Sequence, residues 1–457
     1  HASSLIRKGC RIAAIKAGTT EAGSRAASSH TGAMASSDSA VEALFRKAGI
    51  VRCTGREELT TVASVFMHKP LNGRNIAIVT HAGGPAVMLT DALSAGGMNI
   101  PKLETADQEA ILAMMNPGAS AVNTIDMIAT ATVDQLDNVI EYADKKLPYI
   151  DGMSVIFGNN GLTDMTEVYE LLHSKINGCN KPLYPILPSI SSSFRELENF
   201  MSKGNVNFPD EVVLGRALTR ISNTPRPAEE SIYLEKVDVP LIRKIIEDAP
   251  EGYLEPELIQ RLLSAASIPL VREGVATTFE EISSFAEETG YPVALKVVGP
   301  VHKSDVGGVT LNIKSKKHLE AEFNRMREIP GVTAVMVQEM LSGTELFIGA
   351  KYEPRFGHII LCGLGGIFVE VLGDVSSGLA PLTFNEAFSM IKSLRAYRII
   401  RGTRGKSGIN EDRFAEIIVR LSSLLRFATE IKEMDLNPLI GSHKGITAVD
   451  ARIRIAK

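Results

Sequence analysis

"YPVALKVVGPVHKSDVGGV", residues 291–309, sets one lysine in the middle of an apolar strand and follows it with a glycine pair. A buried ammonium is costly unless it reaches an anion or water, so Lys296 needs a partner. Beyond it, Asp305 and the pair Gly307–Gly308 make a loop able to turn backbone N–H groups toward a phosphate, with His302 between the strand and the turn. Taken alone, a snorkelling lysine beside a plain glycine turn explains these residues equally well.

The segments that follow add carboxylates. "VMVQEM" (335–340) reads as an edge strand ending in Glu339, and "GTELFIGAKYEPRFG" (343–357) carries Glu345. An edge strand followed by a carboxylate can offer backbone groups to adenine and an acceptor to ribose hydroxyls. "GLGGIFVEVLGD" (363–374) brings a second glycine turn with Glu370 and Asp374. "MDLNPLI" and "ITAVDARI", within 434–453, place Asp435, Asn437 and Asp450 near paired strands. Asn437 and Asp450 supply oxygen ligands of the kind Mg²⁺ prefers, with water and nucleotide phosphates completing the octahedron.

Working outward, "EPELIQRLLSAASI" (255–268) and "FEEISSFAEETG" (279–290) have helical spacing, while "LVREGVA" (270–276) and "VALKVVG" (293–299) read as strands. Mixed in this way, the second half suits an α+β nucleotide-binding lobe. The first half differs. "RIAAIKA" (11–17), "NIAIVTH" (75–81), "MSVIFG" (153–158) and "LYPILPSI" (183–190) are expected buried strands. They alternate with helical stretches such as "AVEALFRKAGI" (40–50) and "PAVMLTDALSAGG" (85–97). This alternation implies parallel sheets with helices on both faces and ligands at the carboxyl ends of the strands. "HAGGPAV" (81–87) sits at such an end, where Gly83, Gly84 and Pro85 open a helix whose free N–H groups suit an anion. "GNNGLTD" (158–164) is a second candidate junction of this kind. Both also fit an ordinary strand-to-helix turn. Two stretches punctuate the chain: "HKPLNGR" (68–74), and "NTPRPAEES" (223–231), which reads as an interdomain linker.

The chain has 457 residues, a formal net charge of −4, 44% hydrophobic residues and 22% charged ones. That length implies two to three domains, and the charge gives no electrostatic footprint for nucleic acid. No apolar run approaches a membrane span and no signal peptide is visible. Cys10, Cys53, Cys179 and Cys362 are scattered without CxxC spacing, as expected for reduced, buried thiols of a cytoplasmic protein. The opening "HASSLIRKGCRIAAIKAG" looks like a chain entered midway through a domain.

One stretch resists a packing explanation. "AASSHTGAMASSD" (26–38) surrounds His30 with small residues and contains no aromatic, Leu, Ile or Val to bury.

The lysine strand, the glycine loop, "VQE" and the terminal D-x-N-P with a later Asp together resemble the ATP-grasp domain. "LKVVGPVHKSDVGGV" and "MDLNPLI" look specifically like the NDP-forming acyl-CoA synthetases, relatives of succinyl-CoA synthetase. "SSHTGAMASSD" is similar to that family's phosphohistidine loop, and "IAIVTHAGGPAVM" with "NTIDM" to its second flavodoxin-like domain. The resemblance runs nearly end to end. It implies flavodoxin-like doubly wound parallel sheets followed by an α+β ATP-grasp domain. The implied divisions are 1–68 (the later part of a flavodoxin-like domain), 72–225 (a second one), a linker at 226–234, and the ATP-grasp domain at 235–457.

The same resemblance implies an ADP-forming acyl-CoA synthetase of the acetate–CoA ligase type, acting on a small carboxylic acid, CoA and ATP with Mg²⁺. His30 would carry phosphate covalently, as imidazole nucleophiles do. The small neighbours of His30 then let its loop leave the surface and accept a group of roughly two negative charges. His302 would be a second station for phosphate, and Asp435 the carboxylate that fixes the phosphohistidine tautomer. Lys296, with Gly307 and Gly308, would bind nucleotide phosphates, Glu339 and Glu345 would flank adenine and ribose, and Asn437 and Asp450 would hold Mg²⁺. Gly83 and Gly84 would cradle phosphate. The resemblance also implies a homo-oligomer, and a CoA-binding domain preceding the residues in hand.

Two positions depart from the pattern: His81 stands where the family commonly has Asn, and Thr124 where Pro is usual. Two other readings remain. One is a regulatory or acetyltransferase-linked relative that binds ligands without catalysis; it would be expected to lose the carrier histidine. The other is an unrelated ATP-grasp carboxylate ligase, which leaves "SSHTGA" unexplained.

Overall fold

The short apolar runs of the first half become strands buried on both faces, and the longer, mixed runs of the second half become antiparallel sheets. A computed structural model describes residues 1–20, 22–25, 37–159, 164–188, 191–228, 237–299, 306–366, 373–403 and 407–457. The chain divides into two compact units, His1–Ala35 with Phe45–Pro227, and Ser36–Leu44 with Ala228–Lys457.

The first unit holds β1 (Ala13–Ile15), β2 (Val51–Cys53), β3 (Ile76–Thr80), β4 (Ser120–Ala121), β5 (Ile125–Asp126), β6 (Gly152–Ile156) and β7 (Leu183–Ile186). β1 and β2 pair in parallel. The other five form one sheet in the order β4-β5-β3-β6-β7, parallel except for β4. Every residue of β3, β6 and β7 is buried, as expected for a parallel sheet covered on both sides. Ile76 and Ile78 face Leu89, Leu93 and Leu214, while Ala77 and Val79 face the cluster of Leu136, Ile140 and Val155. The period-2 alternation of the strand thus feeds two separate cores.

Helix starts follow their local chemistry. Thr132 and Gln135 form a reciprocal capping box ahead of helix Val133–Lys146, and Asp164 accepts from Thr166 N before Met165–Gly178. Two expectations need correction here. "RIAAIKA" yields only a three-residue strand that is half-buried to exposed, because among the described residues β2 is its single sheet neighbour. Of the four cysteines, Cys10 is exposed, whereas Cys53, Cys179 and Cys362 are buried.

The second unit contains β8 (Gly252–Tyr253), β9 (Glu273–Ala276), β10 (Val293–Val298), β11 (Val309–Ile313), β12 (Ala334–Glu339), β13 (Thr344–Glu353), β14 (Gly357–Leu364), β15 (Val375–Leu379), β16 (Ile431–Gly441), β17 (Ile446–Ala448) and β18 (Ala451–Ile455). They make a four-stranded sheet, β11-β10-β12-β9, and a seven-stranded sheet, β15-β14-β13-β16-β18-β8 with β17 on β16. On the smaller sheet, Val293, Leu295, Val297, Val335 and Val337 join Ile282, Leu319 and Phe323 of two helices in one core. The alternate residues Ala294, Lys296 and Gln338 line a cavity instead. The larger sheet packs on helix Glu411–Phe427 through residues such as Ile348, Ile360, Leu436, Phe414 and Ile418.

β12 is not the edge strand expected of "VMVQEM". β9 pairs antiparallel with Val335–Gln338, which satisfies the outer backbone groups of β12. Among the described residues, no helix is long and apolar enough to cross a membrane.

Candidate active site

A cavity of about 650 Å³ lies within the second unit, lined by both of its sheets. Six of the expected site residues line it: Lys296, Glu339, Glu345, Asp435, Asn437 and Asp450. They come from β10, β12, β13, β16 and the turn between β17 and β18, positions up to about 150 residues apart along the chain.

Lys296 is only 6% exposed, and its ammonium donates to the Val449 carbonyl at 3.1 Å. That carbonyl accepts a second bond, also 3.1 Å, from Gln338 Nε2. Gln338 is 1% exposed and its amide nitrogen donates in addition to Glu273 Oε2 at 2.6 Å. Both amide hydrogens thus go to acceptors, which fixes the amide orientation and leaves Oε1 buried with no hydrogen-bond partner among the described residues. A line of hydrogen bonds, Glu273–Gln338–Val449–Lys296, therefore holds the ammonium from beneath.

Glu345 and Asn437 meet at one glycine. Gly366 N donates to Asn437 Oδ1 at 3.2 Å, and a Cβ on Gly366 would stand 2.0 Å from Glu345 Oε2. With φ of +61°, this position suits glycine on both counts. Asn437 N also donates to Asp450 O at 3.2 Å, so the two residues sit side by side on paired segments. Their amide and carboxylate oxygens are hard donors opening on one cavity, a set that fits Mg²⁺. Among the described residues no cluster of three or more His, Cys, Asp or Glu could hold a metal, so water and phosphate oxygens would supply the other ligands.

Asp435 is half-buried, and among the described residues one of its carboxylate oxygens has no hydrogen-bond partner. Burial pushes its acid up to about 6; the negative charges of Asp450 and Glu433 push the same way, and Arg452 opposes them. Arg452 stands directly across from Asp435 in the β16–β18 ladder and lines the same cavity. Sequence reasoning singled out neither Gln338 nor Arg452. The alternation in "VDARI" was the available signal, since Asp450 and Arg452 are two apart on extended chain.

The remaining expected residues are elsewhere. Gly307 and Gly308 lead directly into β11 without lining the cavity; Gly308 O accepts from Val297 N at 2.8 Å, and Gly307 O from Arg325 at 3.0 Å. His30, His302 and Glu370 fall outside the described residues. Asp374 accepts from the backbone of Arg395 and Ala396, at 2.9 and 2.7 Å, which is a turn-capping role.

Gly83 and Gly84 belong to the first unit, where they begin helix Gly83–Ala95 at the carboxyl end of β3. Among the described residues, no side chain caps this helix and nothing lies within 4 Å of a Cβ placed on Gly84. His81 Nδ1 meets Ile156 O at 3.3 Å, and its ring packs on Phe157 at 4.4 Å between centroids. Burial lowers the imidazole's pKa, while the Ile156 carbonyl and the Asp126 charge partly offset it. Asp126 Oδ2 would lie 3.3 Å from a Cβ on Gly83. The end of β3 thus combines open helix N–H groups with an acidic neighbour.

Residues 246–455 match a family model for the ATP-grasp domain, and residues 1–66 match one for the succinyl-CoA ligase like flavodoxin domain. The chain is 32% identical over 459 residues to acetate–CoA ligase [ADP-forming] I of Archaeoglobus fulgidus, covering 97% of this chain and 66% of that protein. It therefore spans just under two thirds of that relative's length. Its identity to acetate–CoA ligase [ADP-forming] I subunit beta of Pyrococcus furiosus is 38% over 224 residues, or 46% of this chain and 96% of the subunit. Among solved structures, the dinucleotide forming acetyl-coenzyme A synthetase 1 of Ca. Korarchaeum cryptofilum is similar at 37% identity and a TM-score of 0.45. That likeness covers 48% of this chain and 99% of the other, which was solved with coenzyme A, Ca-AMPCP and HgCl⁺.

Proposed function

The chain belongs to the family of ADP-forming acyl-CoA ligases, and from that premise we propose that it works in the reaction acid + CoA + ATP ⇌ acyl-CoA + ADP + phosphate. The observation that carries this reading is the convergence of Lys296, Glu339, Glu345, Asp435, Asn437 and Asp450 on one cavity. Lys296, fixed through Val449, binds the nucleotide phosphates, and Glu339 and Glu345 flank adenine and ribose. Asn437 and Asp450 would hold Mg²⁺, which when bound screens the charge of the phosphates.

In the direction of ATP formation, phosphate displaces CoA from acyl-CoA to give acyl phosphate, whose phosphoryl group passes to His30. His302 is a second station for that group. Asp435 accepts from the ring nitrogen that does not carry phosphorus, and so fixes which nitrogen is nucleophilic. Gly83 and Gly84 hold phosphate at their helix N-terminus, supported by the uncapped first turn. The acid, CoA, a cytoplasmic setting and an assembly of several copies belong to the same reading. The separate alpha and beta subunits of the Pyrococcus relatives support an assembly of more than one polypeptide.

Incubation with γ-labelled ATP and Mg²⁺ tests the proposal. Acid-labile, alkali-stable label is expected on the protein, is expected to fall in His30→Ala, and is expected to vanish when His30 and His302 are both replaced by alanine. Label persisting unchanged in both His30→Ala and His302→Ala would overturn the phosphohistidine route.

A further inference from the structure

Arg452 lines the nucleotide cavity, yet its side chain makes no hydrogen bond or ion pair among the described residues. Its cross-strand partner is Asp435, so both side chains leave the same side of the sheet. Among the described residues the two opposite charges are not joined in an ion pair, and a carboxylate oxygen of Asp435 is buried with no hydrogen-bond partner. Donor and acceptor stand next to each other with both ends open. A nucleotide phosphate alone would satisfy the guanidinium but would set an anion against the carboxylate. A phosphorylated imidazole satisfies both, because it offers phosphoryl oxygens to one group and a ring N–H to the other.

We propose that Arg452 is a further catalytic residue, its guanidinium holding the phosphoryl group as it passes between imidazole and nucleotide. This inference rests on the ligase reading above. Lys296 is already tied to Val449 on the other sheet, so it is placed for the phosphates of the resident nucleotide. Arg452 serves the group in transit. A β-phosphate oxygen of ADP attacks phosphorus, the P–N bond breaks, and its electron pair returns to the ring nitrogen. The other ring nitrogen keeps the proton that it donates to Asp435, so the imidazole leaves neutral and the total charge is conserved. A planar guanidinium can bind two phosphoryl oxygens at once, which an ammonium cannot match in geometry.

The test compares wild type, Arg452→Gln and Arg452→Lys in two measurements: the rate of acid-labile labelling from γ-labelled ATP, and ADP affinity by calorimetry. Arg452→Gln is expected to slow labelling on the order of a hundredfold, with ADP affinity changed less than about threefold. Arg452→Lys is expected to recover part of the rate at unchanged affinity. Labelling at the wild-type rate in Arg452→Gln, or affinity falling in step with rate in both variants, would overturn the proposal. If Arg452→Gln does not fold, Arg452→Lys decides: a wild-type rate there refutes a role for the guanidinium fork. Absence of label on the wild-type protein would instead refute the ligase reading itself.

Discussion

In the five-stranded sheet of the first unit, β3, β6 and β7 are buried at every residue, whereas β13 and β16 of the second unit mix buried and accessible positions. The first pattern leaves no sheet face for a ligand, so polar chemistry is confined to strand ends such as His81–Gly84. The second gives one sheet face to the core and the other to a polar cavity. A parallel sheet therefore places function at its rim and an antiparallel one across its surface.

Lys296→Ala should sharpen that contrast most. Removing the ammonium from the cavity is expected to lower phosphotransfer by about a thousandfold, about 4 kcal/mol, read as labelling rate. Chemical denaturation of the same variant should show the first unit unaffected. Leu89→Ala, in the core under β3, should do the reverse: a loss of about 3 kcal/mol in unfolding free energy, seen in a denaturant titration, with nucleotide affinity retained.

A pH series separates the units at a smaller scale. His68 is buried beside Tyr184 and Phe208, and burial lowers its pKa to about 4. The unfolded state, titrating near 6.5, then binds the extra proton first. The contribution of His68 is thus fully present above about pH 6.5 and is lost as pH falls toward 4, by about 3 kcal/mol. His68→Phe should flatten that slope in thermal melts across this range; a slope unchanged by the substitution would place the acid sensitivity elsewhere. Smallest of all, Thr132→Ala removes the capping box of a first-unit helix and should cost about 1 kcal/mol in the same melts.

Strand positions were legible where apolar runs were short and bounded: 293–299 and 335–340 each match a strand to within about a residue. Which strand lies beside which was not. β12 reads as an edge in isolation because the pairing partner at Glu273–Ala276 comes some sixty residues earlier. β1 reads as buried because composition does not reveal how many neighbours a strand has. The residues of the cavity that carry unusual types for a strand, such as Lys296 and Asn437, stood out from sequence. Gln338 and Arg452 did not, since their meaning comes from what faces them across a ladder: Ala294 for one and Asp435 for the other.

The Val449 carbonyl that receives both Lys296 and Gln338 is a functional group with no side chain of its own. Any residue placed at 449 brings the same oxygen, so an alanine scan through this turn would pass over it in silence. Replacing the amide that follows it by an ester, through semisynthesis, weakens that acceptor while leaving every side chain in place. Mutational tolerance at position 449 would therefore measure the fit of the valine side chain, and say nothing of the atom on which the lysine rests.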